Sequence, residues 1–159
     1  MDTNPKKTGF LGANRTLIIL SFINLFNYLD RYVLSAVLDP IKKEFNLSDG
    51  ELGRVATAFM LGYFITSPFF GFLGDRVPRK KLIFLGVVVW SFGTFLTGFA
   101  QTFAMIIGFR ALVGVGEASF SAIGPSVLSD SFSGEKRNFA MTLFSMAIPL
   151  GAALGYLIG

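Results

Sequence analysis

The sequence predicts an all-α, polytopic membrane helix bundle, and three observations carry that expectation. Charged residues make up only 15% of the 159 residues and hydrophobic ones 52%, whereas a soluble domain carries about 25% charged residues. The apolar residues gather into long runs, each able to cross a hydrocarbon core of about 30 Å. Short polar connections separate those runs, and the basic residues collect in the connections.

The first span is expected at 16–38, after a 1–15 tail that is read as cytoplasmic and retained. The tail begins with a signal-like basic stretch, but the apolar run behind it carries Asn24, Asn27, Asp30 and Arg31 and no small-residue cleavage site. At about 100° per residue, Ser21, Tyr28, Arg31 and Ser35 lie within about 60° of Asn24, and Asn27 borders that face. Asp30 lies a further step of about 60° round and looks toward a neighbouring helix. Residues 39–51, DPIKKEFNLSDGE, read as a polar connection in which Ser48 and Glu51 form a capping box for the second span, 55–74. Pro68 inside that span is tolerable, because neighbouring helices can satisfy the carbonyl it frees.

A basic loop, DRVPRKK at 75–81, precedes 28 uncharged residues from Leu82 to Phe109. That is too many for one span and too few for two. The third span is therefore placed at 82–99 and the fourth at 103–128, with Arg110 inside the fourth. After DSFSGEKR at 130–137, the fifth span covers 138–159, where Ala147, Gly151, Gly155 and Gly159 repeat small residues every four positions. Such spacing is a close-packing face. Nine basic residues lie on one side of these spans: Lys6, Lys7, Arg15, Arg76, Arg79, Lys80, Lys81, Lys136 and Arg137. By the positive-inside rule the N-terminus is cytoplasmic.

The fourth span holds the densest chemistry. Arg110, Gly114, Glu117, Ser121 and Gly124 fall within about 80° of one another, one polar stripe of small and charged residues. Ionisable groups at that depth cost at least about 2 kcal/mol each and mark substrate or ion pathways. Asp30 and Arg110 come out at matched depths, roughly 10 Å below the outer surface at about 1.5 Å per residue, so they are expected to pair. Glu117 is placed about 10 Å deeper, nearer the centre of the cavity.

Composition excludes much else. With no cysteine and no histidine, there is no thiolate metal site, no thiol nucleophile and no imidazole for proton transfer. No cofactor, no metal and no enzyme activity are expected, and any proton coupling must fall to carboxylates, driven by a proton gradient. The net charge of +4 is explained by topology, so nucleic acid is not an expected partner. The 19 phenylalanines are expected to face lipid.

The stretch GFLGDRVPRKK at 71–81 resembles the loop signature of the major facilitator superfamily, with Pro78 where that signature has glycine. Arg110 followed by Gly114 and Gly116 resembles the superfamily's second signature. A narrower resemblance rests on NYLDR at 27–31, RALVGVGEASFSAIGP at 110–125 and AIPLGAALGYLIG at 147–159. These are similar to the Spinster family, whose members are implicated in moving sphingolipids and lysophospholipids.

The resemblance implies the first five helices of an N-terminal six-helix half, with a C-terminal half or a partner chain still to be supplied. It also implies roles. Asp30 and Glu117 would be proton-coupling carboxylates; Asn27, Arg31, Arg110, Glu117 and Ser121 would line the cavity; Gly71, Gly74, Asp75, Arg76, Arg79 and Lys80 would form a cytoplasmic gate. The expected activity is proton-coupled secondary transport of a lipid-like amphiphile by alternating access. In that scheme, protonating Asp30 releases Arg110 to an anionic headgroup. Two alternatives stay open: transport of another organic anion or drug, and a non-transporting membrane scaffold whose charges only hold helices together.

Overall fold

The computed structural model describes residues 10–159, which form five helices: α1 (Phe10–Glu44), α2 (Asp49–Gly74), α3 (Arg79–Thr97), α4 (Phe103–Ser131) and α5 (Gly134–Ile158). Each is long and apolar enough to cross a membrane. Lys6 and Lys7, counted above toward topology, lie outside the described residues.

Helix α1 departs most from the sequence reading. It begins before residue 16 and runs on through Asp39 and Pro40 to Glu44, where a polar connection is expected. A proline inside a helix removes one donor without forcing an end. The stop comes instead at Asn46, whose φ of 54° places it in the left-handed region. There the Leu47 amide bonds back to the Lys42 carbonyl at 2.9 Å. Asn tolerates this conformation and closes the helix as a glycine would. Lys42 and Lys43 sit in the last turn, favourable to the helix dipole, and Lys42 also pairs with Asp49 across the turn.

The capping box at the start of α2 forms as its spacing predicts. The Ser48 hydroxyl accepts from the Glu51 amide at 3.3 Å, and the Glu51 carboxylate accepts from the Ser48 amide at 2.9 Å. Ser48→Ala should lower thermal stability by about 1 kcal/mol, read as a drop in the detergent-solubilised melting midpoint. Thr102 caps α4 in the same way, accepting from the Met105 amide. Gly134, with φ of 57°, makes the sharp entry into α5 that a side chain would resist.

Helix α4 is the axis of the bundle, packed against α2 on one side and α3 on the other, while α5 packs along α1. Small residues set the spacing. A Cβ on Gly114 would lie 2.2 Å from the Phe59 carbonyl oxygen of α2, and one on Gly116 would lie 2.5 Å from the Trp90 amide nitrogen of α3. The repeat on α5 works likewise against α1, where a Cβ at Gly155 would meet the Tyr32 Cβ at 2.6 Å. Trp90, Phe120 and Phe144 then join α3, α4 and α5 through ring contacts at 5.9 and 6.2 Å. Two buried side-chain hydrogen bonds add direction: Ser119 to the Leu82 carbonyl, 2.7 Å, and Asn24 to the Phe144 carbonyl, 3.0 Å. Large apolar side chains such as Phe64 and Leu157 remain exposed, as expected where the solvent is lipid.

Candidate functional site

Consecutive helical residues point about 100° apart, so Asp30 and Arg31 serve different neighbours. Asp30 looks across to α3, where the Thr94 hydroxyl donates to its carboxylate at 2.7 Å. Arg31 turns the other way. Its Nε donates to Glu117 Oε2 of α4 at 2.6 Å, with the Glu117 side chain fully buried. Around the same guanidinium stand three rings: Tyr28, Phe59 and Tyr63, with centroids 5.3, 5.1 and 5.4 Å from its central carbon.

Asp30 and Arg110 face each other across one groove, as expected, but the direct ion pair is a different one, Arg31 with Glu117. Asp30 and Arg110 do line one groove of about 370 Å³, but no hydrogen bond or ion pair joins them among the described residues. The reason is azimuthal. Matched depth brings the two near, but the Thr94 hydroxyl lies where the Asp30 carboxylate points. Arg110 is itself 4% exposed and holds its guanidinium 5.1 Å from the Phe59 centroid. Phe59 therefore touches both arginines. Two carboxylates and two guanidiniums sum to zero charge, which makes their burial affordable, since an uncompensated ion there would cost several kcal/mol.

The remaining cavity residues sit around this core. Asn27 is 1% exposed with its amide nitrogen unpartnered, as are Arg110 Nε and Glu117 Oε1. Ser121 lines a pocket of about 280 Å³ together with Asn24, Tyr28, Tyr63, Phe120 and Phe144. The α4 stripe accordingly faces α1 and α2, with Gly114 giving Phe59 and Tyr63 room to approach. Thr94, Phe59 and Tyr63 escaped the sequence reading, because a lone hydroxyl or ring in an uncharged run carries no periodic signal.

At the opposite end of α4, Arg79 ties three helices. Its Nε donates to the Gly74 carbonyl at 3.1 Å, and its Nη1 donates to Ser126 Oγ at 2.8 Å and to Asp130 at 2.7 Å. Asp75 is the more distant partner, 3.7 Å from Nη2 and largely exposed. Arg76 stacks on Phe72 at 4.0 Å, and Lys80 is exposed. Within this chain no second backbone comes close to Gly71 or Gly74. A Cβ at Gly71 would meet nothing within 4 Å, and one at Gly74 would meet only the Ile123 side chain. Asp130, unmarked by the loop signature, is the stronger carboxylate partner of Arg79.

Residues 20–159 match the Major Facilitator Superfamily. The chain is 40% identical over 157 residues to Protein spinster of Drosophila melanogaster, covering 98% of this chain and 26% of that protein. It is 41% identical over 143 residues to a sphingosine-1-phosphate transporter of Danio rerio, covering 89% and 28%. The crystal structure of a bacterial homolog of the human lysosomal transporter Spinster, inward-facing and unoccupied, superposes with a TM-score of 0.85 at 30% identity, covering 90% of this chain and 30% of that one. The chain spans about a quarter to a third of the length of these relatives. It belongs to the Major Facilitator Superfamily, as the first five helices of the N-terminal half of a Spinster-type multi-pass membrane protein.

Proposed function

We propose that the complete protein is a proton-coupled secondary transporter that moves a lipid-like amphiphile by alternating access, with the N-terminus in the cytoplasm. The observation that carries this reading is the ion pair between the partly exposed Arg31 and the fully buried Glu117, beside the pocket lined by Tyr28, Tyr63 and Ser121. A proton on Glu117 removes the charge that holds Arg31. The freed guanidinium can then take a phosphate or carboxylate headgroup while the tail lies along apolar walls, so proton and substrate compete for one cation. Asp30, beside Arg110 in the neighbouring groove, is a second carboxylate in the same balance.

Three further observations support the reading. A relative at 41% identity is named as a sphingosine-1-phosphate transporter. Both crystal structures of the bacterial relative, unoccupied and occupied, are inward-facing and superpose on this chain with TM-scores of 0.85 and 0.84. Basic residues at the cytoplasmic ends of the helices favour the orientation.

The test is flux of a fluorescent lysophospholipid in proteoliposomes carrying the complete protein. Glu117→Gln should abolish stimulation by an imposed pH gradient, and full retention of that stimulation would overturn the assignment. A panel of organic anions and drugs in the same vesicles separates lipid from other substrates.

A further inference from the structure

A threonine inside a helix has a default partner, the carbonyl four residues back on its own helix. Thr16, Thr57, Thr66, Thr97 and Thr142 all take it. Thr94 instead gives its one hydroxyl proton to Asp30 Oδ2 of α1, 2.7 Å away. That bond crosses a seam that is otherwise open, because Asp30 and Thr94 together line both the groove of about 370 Å³ and a second one of about 500 Å³ between α1 and α3. The α3 side of the seam is firmly placed. A Cβ on Gly93, the residue before Thr94, would lie 2.8 Å from Val113 Cγ2 and 3.2 Å from the Val113 amide nitrogen, so α3 sits hard against α4 within a turn of Arg110. Asp30 arrives on a different pair, α1 seated against α5 at Gly151 and Gly155. One frame, α3 with α4, therefore offers the incoming carboxylate two rival donors, the Thr94 hydroxyl and the Arg110 guanidinium, whose Nε is buried without a partner.

We propose that Thr94 is a positioning residue for proton coupling: by holding Asp30 against α3 it keeps the carboxylate off Arg110, and so sets the pH at which Asp30 takes a proton. This rests on the transport reading above and adds a residue on a helix outside the cavity between α1, α2 and α4. The sign follows from the two donors. A hydrogen bond from a charged guanidinium holds a carboxylate about twice as strongly as one from a neutral hydroxyl. An acid surrendered to the arginine therefore takes its proton only at lower pH. The ionisable groups within electrostatic reach of Asp30 are Arg110 and Glu117 of α4 and Arg31 of its own helix, with Glu44 of α1 in the same groove. Helix α3 brings only hydroxyls to the two grooves as polar groups besides the Trp90 ring, and no residue of α2 or α5 lines either one. Thr94 is thus the one partner of Asp30 that can be deleted without altering the charge of the site.

The test is a pH titration of the complete protein in lipid vesicles, followed by infrared difference spectroscopy. The protonated-carboxyl band that disappears in Asp30→Asn belongs to Asp30. Thr94→Val, which keeps the shape and removes the hydroxyl, should move the midpoint of that band to lower pH by about one unit. Thr94→Ser, which keeps the hydroxyl, should return it to the parent value. The pH profile of amphiphile flux in the same vesicles should move with the infrared midpoint. Should Thr94→Val fail to fold, Thr94→Ala removes the same donor and carries the same expectation.

A residue that served only to pack α1 on α3 would lower the amount of folded protein in Thr94→Val and leave the midpoint where it was. An unmoved midpoint, or one moved to higher pH, overturns the proposal, as does a Thr94→Ser variant that behaves like Thr94→Val. A flux profile that stays in place while the infrared midpoint moves overturns it too, since Thr94 would then hold an acid that coupling does not use. Failure of the transport reading looks different: the unsubstituted protein then moves no amphiphile at any pH, and the infrared midpoint still reports which donor holds Asp30.

Discussion

Arg31→Met should destabilise the detergent-solubilised protein by about 3–5 kcal/mol, because it leaves the Glu117 carboxylate buried with no cation bonded to it. The companion expectation concerns Glu117→Gln, which strands Arg31 less severely, since that side chain is 27% exposed and retains its three ring contacts. The double variant Arg31→Met/Glu117→Gln removes both charges together. It should be more stable than Arg31→Met alone, with a coupling energy of about 2 kcal/mol or more between the two sites. The measurement is a double-mutant cycle on thermal or denaturant midpoints. Strict additivity would show that the pair contributes no interaction beyond its separate side chains, and the site would then have to be rebuilt around Asp30 and Arg110.

Gly114→Leu is the second variant of large effect. Its Cβ would stand 2.2 Å from the Phe59 carbonyl oxygen and 2.9 Å from the Tyr63 amide nitrogen, both of them backbone atoms that cannot rotate aside. Helix α2 must therefore move bodily away from α4. The expected cost is about 3 kcal/mol or more, at the upper end for overpacking, with loss of a monodisperse peak on size exclusion. Gly71→Leu provides the contrast. It also falls on α2, but at a position where a Cβ meets nothing within 4 Å, and it should shift stability by no more than about 0.5 kcal/mol. Equal damage from the two substitutions would refute the tight α2–α4 crossing.

Much of the fold is legible before any coordinates, because lipid demands long apolar runs and the basic residues crowd their ends. The number of helices, the break between the third and fourth spans, the capping box at Ser48 and the charges set within α1 and α4 follow from period and composition alone. The pairing of those charges does not. Sequence fixes the depth of Asp30 and Arg110 to within a turn, but the partner each one finds depends on the rotation of α1 relative to α3 and α4, which is set by packing. A hydroxyl at Thr94 was enough to claim Asp30. The polar stretch from Asp39 continues α1 for a related reason: a helix end is decided by whether the freed groups find partners, and Asn46 supplies the stop. The aromatic surround was invisible because Tyr28, Phe59 and Tyr63 are ordinary membrane residues until they converge.

Helices α2 and α4 are fastened at two heights, by the Gly114 crossing against Phe59 and Tyr63, and by Arg79, which grips Gly74 together with Ser126 and Asp130. Two clamps on a pair of rods leave no freedom to shear. A push applied at the Arg79 end is therefore delivered as a tilt of the whole girder. Since Phe59 and Tyr63 belong to one rod and Glu117 to the other, that tilt reaches the walls around Arg31 without slack.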